Sequence, residues 1–241
     1  MTFERLMSAA DSLSEALAPL RFSSPVTHVY NPLEYAREGY AAYMRMAGSS
    51  PKRAIFLGMN PGPWGMAQTG VPFGEVAWSR NWLGIDVPVG KPENEHPKRL
   101  ISGFACARRE VSGSRVWGAV ASHFGKPEAF FARYMILNYC PLVFMEESGR
   151  NRTPDKLPAA ERQAVFAACD AHLREVIDIL RPEWVVGIGA FAEERARLAL
   201  AGSDRRSGRI MHPSPANPLT NRGWEPIIAR ELTALGLCPL R

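Results

Sequence analysis

The chain has 241 residues, 46% of them hydrophobic and 22% charged, the balance of a soluble globular protein with room for one sizeable core. No apolar run is long enough to span a bilayer. Glu4, Asp11 and Glu15 stand where a secretory leader would be basic and then apolar, so an intracellular protein is expected. The net charge is +5, with 24 Arg against 5 Lys, and that skew suits phosphate contact because a guanidinium offers a planar, bidentate donor fork.

Taken in chain order, apolar residues at helical spacing predict helices over 3–20 and 30–46, the second opened by Asn31-Pro32. A short apolar strand follows at 55–58, and it runs straight into a loop of Gly and Pro at 58–74. A short helix is expected within 74–83, a loop over 84–97, and a helix over 115–124 ended by Gly125. A second strand covers 134–138, and a polar loop covers 149–158. The clearest helix runs over Ala159–Leu180, with Val165, Cys169, Leu173, Val176, Ile177 and Leu180 three and four apart. A third strand at 184–189 is too apolar to face water. It precedes a helix over 191–201, a short strand at 209–211 and a last helix over 224–235.

Strands alternating with helices indicate a three-layer α/β/α fold around a mainly parallel, four-stranded sheet. One domain over 1–241 is expected, with N-terminal helices within 1–47. Polar segments begin at the carboxyl ends of strands one, two and four, the edge where such sheets bind ligands. The first is the loop holding Asn60, Gly62, Trp64, Met66 and Phe73. It lacks both the Gly-Lys-Ser/Thr of a phosphate loop and the G-x-G-x-x-G spacing, and suits a small planar ring. The second is Asn138-Tyr139-Cys140-Pro141-Leu142, and the third is His212-Pro213-Ser214-Pro215-Ala216-Asn217-Pro218. Basic residues outnumber acids five to one between Lys98 and Arg115, and four Arg with no acid lie between Arg205 and Trp224. A basic collar of this kind is what a polyanionic strand requires.

In this order the three segments resemble the motifs of the uracil-DNA glycosylase superfamily, nearest its single-strand-selective monofunctional branch. The resemblance runs from about Pro25 to Leu240. It implies a DNA partner, single- or double-stranded and carrying uracil, no membrane partner, a monomer, and a place in the cytoplasm or nucleus. It also implies Asn60 and His212 as catalytic residues, the first positioning water and the second donating to uracil O2 as the base leaves. Gly62, Met66, Phe73 and Asn138 become the base pocket: Phe73 stacks, Asn138 reads N3–H and O4, and the amides of Gly62 and Met66 add to the grip. Gly62 stands where stricter relatives carry a Tyr that blocks the C5 edge, so oxidised pyrimidines such as 5-hydroxymethyluracil are implied substrates. Pro213, Ser214, Pro215, Ala216 and Asn217, with Arg209 and Arg222, become the DNA-contacting set. Ala216 departs from the pattern, since the family commonly has an Arg there that wedges into the duplex. Asn217, Leu219 and Arg222 are the other residues placed for that task.

No Lys lies in the three segments, which disfavours an amine nucleophile and strand-cleaving chemistry. Some branches of the superfamily hold an iron–sulfur cluster on four Cys that include a closely spaced pair. Cys106, Cys140, Cys169 and Cys238 have no such pair and read as reduced, mostly buried thiols, with no metal and no cofactor. Trp64, Trp78, Trp82, Trp117, Trp184 and Trp224 read as core or loop anchors. The competing readings are a non-catalytic relative that binds damaged DNA and a hydrolase of free nucleosides.

Overall fold

The computed structural model describes residues 2–237. Its helices are α1 (Thr2–Leu17), α2 (Pro32–Tyr35), α3 (Arg37–Arg45), α4 (Met66–Thr69), α5 (Val76–Asn81), α6 (Val111–Phe124), α7 (Pro127–Phe131), α8 (Ala159–Leu180), α9 (Ala190–Ala199) and α10 (Glu225–Ala234). Its strands are β1 (Val26–Tyr30), β2 (Ala54–Gly58), β3 (Tyr134–Asn138), β4 (Val143–Glu146), β5 (Asn151–Arg152), β6 (Trp184–Ile188) and β7 (Arg206–Ile210).

Four strands form a parallel sheet in the order β3-β2-β6-β7. Side chains alternate across it. Phe56, Tyr134, Ile136, Ile188 and Ile210 face α6 and α10, enclosing a small, chiefly apolar cavity of about 110 Å³. On the other face α9 comes so close that a Cβ at Gly187 would lie 2.1 Å from the Glu193 nitrogen. Helix α8 packs there against α1 and α9, completing the α/β/α layering.

The register positions the functional edge. Gly58 pairs with Asn138, Leu57 with Gly187, and Ile188 with Ile210. The strands thus end at nearly one level, and the segments that follow them leave from a common rim. The open edge of β3 is closed by Tyr43, whose hydroxyl accepts from the Ile136 N–H at 3.2 Å and donates to the Ile136 carbonyl at 2.8 Å. That satisfies backbone groups that an edge strand would otherwise expose.

The N-terminal region differs from the expected run of helices. Val26–Tyr30 is a strand, and it joins β4 and β5 in a separate antiparallel sheet of order β1-β4-β5. Residues 151–152, expected as loop, form its third strand. Helix α6 starts at Val111 rather than 115 because Glu110 caps it, accepting from the Ser112 N–H at 3.0 Å and from the Gly113 N–H. Among the described residues, no helix is long and apolar enough to cross a membrane.

Candidate active site

The carboxyl ends of the four parallel strands open into a cavity of about 430 Å³, walled among others by Asn60, Met66, Phe73, Asn138, His212 and Ser214. Its floor depends on Gly58. A Cβ there would lie 2.5 Å from the Phe73 ring and 2.7 Å from Asn138 Oδ1, so only glycine lets ring and carboxamide come together at the strand end. Phe73 has φ +54, a region costly for an aromatic residue. The turn is enforced from outside. Trp117 Nε1 donates to the Pro72 carbonyl at 3.2 Å, and a Cβ at Gly113 of α6 would lie 2.0 Å from the Phe73 carbonyl oxygen. Gln68 ties the same loop down, donating to the carbonyls of Pro63 (3.0 Å) and Leu100 (3.1 Å).

The polar groups are oriented by their neighbours. Asn60 uses Nδ2 twice, on the carbonyls of Leu142 (3.1 Å) and Pro61 (3.3 Å), which leaves its Oδ1 as the uncommitted acceptor. Among the described residues Asn138 Nδ2 donates to the Met66 sulfur alone, at 3.3 Å, a weak acceptor that a carbonyl oxygen readily displaces. The Ser214 N–H donates to His212 Nδ1 at 3.1 Å. Nδ1 is therefore the unprotonated nitrogen, and Nε2 carries the proton. Burial also pulls the His212 pKa below the ordinary histidine value, so the neutral ring is favoured twice over.

The segment after His212 is held by side chains. Arg115 of α6 donates to the Pro213 carbonyl (2.7 Å), Thr220 Oγ1 (2.8 Å) and Asn221 Oδ1 (2.8 Å). Asn221 Nδ2 reaches the Pro215 carbonyl at 3.0 Å, and Asn217 Oδ1 accepts from the Leu219 N–H at 3.1 Å.

A family model for the uracil DNA glycosylase superfamily matches residues 47–228. The chain belongs to the uracil DNA glycosylase superfamily. It is 47% identical over 230 residues to a single-strand selective monofunctional uracil DNA glycosylase of Bos taurus, covering 95% of this chain and 85% of that one. It is equally similar, 47% over 230 residues, to the protein of that name from Rattus norvegicus, covering 95% of this chain and 83% of the relative. In fold it resembles the crystal structure of wild-type SMUG2 from Pedobacter heparinus, with a TM-score of 0.66 and 17% identity over 95% of this chain and 97% of that one.

Within this superfamily member, the motif residues Asn60, Gly62, Met66, Phe73, Asn138 and His212 all line one cavity. Of the expected DNA-contacting set, Ser214 lines the same cavity, Pro213 is buried behind it, and Pro215 and Ala216 are exposed. Asn217 is committed to its own turn. Arg209 forms an ion pair with Glu193 at 3.4 Å, and Arg222 is exposed. Sequence reasoning overlooked Glu110, Asn151 and Gly189, which also line the cavity, and Arg115, which braces its motif-two wall. Glu110 had a legible signal, since it precedes an apolar helical run with Ser112 and Gly113 as cap partners. Arg115 had none beyond its charge. Cys140 and Cys169 are buried free thiols and Cys106 is partly exposed, while Cys238 lies outside the described residues.

Proposed function

We propose that this protein is a monofunctional DNA glycosylase. It takes uracil into the cavity and hydrolyses its N-glycosidic bond, leaving the strand uncut until later steps of base excision repair. The observation that carries this reading is the tautomer of His212, a neutral ring whose Nε2–H is the donor, in a cavity shared with an aromatic face and two oriented carboxamides. Charge develops on uracil O2 as the glycosidic bond breaks, and a pre-positioned neutral donor is what stabilises it. Phe73 stacks on the base, a contact worth about 1–3 kcal/mol. Asn138 accepts from N3–H and donates to O4, exchanging its weak bond to Met66 for a better one. Cytosine presents the opposite pattern at both atoms, which leaves a buried amide mispaired at about 1–3 kcal/mol per group. Asn60 Oδ1 holds the water. An amide is a weak base, but an oxocarbenium-like sugar needs an oriented water more than a deprotonated one.

A Cβ on Gly62 would meet nothing within 4 Å, so the C5 edge of the base has room. This supports 5-hydroxymethyluracil and similar bases as further substrates. Ala216 is exposed and too short to fill the stack a departing base leaves, and Leu219, 54% exposed, is the large apolar side chain remaining on that loop. Extrusion of a paired base costs a few kcal/mol. The reading is therefore a preference for uracil in single strands or mispairs. One chain supplies every group named, so the monomer suffices. The test is incubation with a uracil-containing single-stranded oligonucleotide. Breakage only after hot alkali is expected, whereas an intact strand after alkali, or breakage without it, overturns the proposal.

A further inference from the structure

Two arginines from the basic stretch between Lys98 and Arg115 meet on one tryptophan. Arg99 and Arg108 place their guanidinium carbons 5.3 Å and 5.7 Å from the Trp64 ring centroid, both within cation–π range. The other two arginines and the one acid of that stretch are otherwise engaged, and Lys98 is exposed. Arg115 braces the motif-two loop, Arg109 donates to Ser114 Oγ at 2.9 Å, and Glu110, its one acid, caps α6. Neither Arg99 nor Arg108 is ion-paired among the described residues. Trp64 is thus neither a core residue nor a plain loop anchor. It is a platform that holds two cations with no carboxylate partner among the described residues, Arg99 also donating through one Nη to the Lys98 carbonyl at 2.7 Å.

The platform stands at the rim of the cavity. Trp64 lies between Gly62 and Gly65, both wall residues, and Arg108 lies two residues before Glu110, another wall residue. Gly149, whose added Cβ would sit 3.0 Å from the Arg99 guanidinium carbon, lies two residues before the wall residue Asn151. Three separate segments converge there. Along the sheet edge the order β3-β2-β6-β7 puts this cluster on the β2 side and the loop after His212 on the β7 side. A strand delivering a base to the cavity crosses from one to the other.

We propose that Arg99 and Arg108, pre-positioned on Trp64, grip the phosphates of the DNA strand flanking the extruded nucleotide. This rests on the glycosylase reading above and adds to it a backbone clamp for single-stranded DNA. Arg suits the task because its planar fork binds phosphate bidentately while its face stacks on the ring, so little side-chain freedom is lost on binding. The clamp is blind to sequence, because it touches only the backbone.

The test measures the affinity of a single-stranded oligonucleotide carrying non-hydrolysable 2′-fluoro-deoxyuridine, against one of the same length with normal bases only, across a salt series. For single strands each phosphate contact contributes about 0.7 to the slope of log affinity against log salt. The Arg99→Gln/Arg108→Gln variant is expected to lose about 1.4 of that slope and about tenfold in affinity on both oligonucleotides. Trp64→Ala, which keeps both charges but removes their support, is expected to weaken binding with a smaller change in slope, and Trp64→Phe to restore most of it. Circular dichroism checks that each variant is folded. An unchanged slope in a folded double variant overturns the clamp, whatever the excision rate. Absent excision with a wild-type slope that falls in the variant leaves the clamp standing and overturns the glycosylase reading instead.

Discussion

The two loops that face each other across the cavity are built by opposite means. The loop after β2 is fixed by close backbone approach. Gly58 admits the Phe73 ring and Asn138, Gly113 lets α6 rest on the Phe73 carbonyl, and the chain between is largely buried. The loop after β7 is mostly exposed and is held by side chains reaching carbonyls, with Arg115, Thr220 and Asn221 as the struts. The first behaves as part of the core, so it can define a rigid slot for a planar base. The second keeps an adjustable surface beside one fixed group, His212, which suits a segment that must follow the contour of DNA. On the proposed reading, the rigid loop supplies the stacking face that seats the base against Asn138 at the end of β3, and the strutted loop governs access to it.

The largest effects come from removing the group each loop presents. Asn60→Ala on the first loop and His212→Ala on the second are each expected to lower single-turnover uracil excision by roughly 10²–10³ while the protein stays folded. Near-parental rates in both folded variants would remove them from the chemistry.

Breaking the rigid loop without touching a catalytic group comes next. Gly58→Ala drives a methyl into the Phe73 ring and Asn138, and is expected to cost about 10² in excision through displacement of the slot. Gly62→Ala, with open space around it, should keep uracil excision but lower the relative rate on 5-hydroxymethyluracil. Equal losses on both bases in Gly62→Ala would show that the C5 edge lies elsewhere.

Cutting the struts is a milder break. Arg115→Met removes three hydrogen bonds from the second loop and leaves the first intact, so about a tenfold loss in kcat/KM is expected as His212 loses its exact seat. If the discrimination of uracil from cytosine fell as well, the division of labour between the loops would be wrong.

The pH profile isolates His212 without mutation. Its pKa is lowered by burial, so the neutral, active ring persists as pH falls through the ordinary histidine range. Excision should decline only below about pH 6.5, when protonation of Nδ1 breaks the bond from the Ser214 N–H. An acid limb above that value would contradict the neutral-donor role.

The smallest expected effect sharpens the access side. Ala216→Arg should raise excision of uracil paired with adenine about threefold more than excision from single strands, because it supplies a side chain that fills the vacated stack. Leu219→Ala should shift the same ratio the other way. A constant ratio of single-turnover rates in both variants would deny this loop a wedge.

Much of this organisation is written locally in the chain. Residues 54–58, 134–137 and 184–188 are continuous apolar runs of the kind that strands of a covered parallel sheet carry, and α8 spans the residues its apolar spacing predicts. Two of the polar motifs directly follow such strands, so the sequence alone pointed to Asn60 and Asn138 at one sheet edge, while His212 follows β7, a strand of mixed polarity whose place beside β6 is a matter of pairing. What it left open depends on partners far along the chain. Val26–Tyr30 is a strand because Val143–Glu146 lies beside it, and nothing within residues 26–30 announces that pairing. Arg115 and Asn221 are 106 residues apart, so a helix residue that reads as surface charge becomes a strut only when the fold closes. Likewise Trp64 reads as an anchor until Arg99 and Arg108 come to rest on it. The residue types that can do the chemistry are a local property. Which nitrogen of His212 holds its proton, and which arginines rest on Trp64 without an acidic partner among the described residues, follow from contacts that only the folded chain makes.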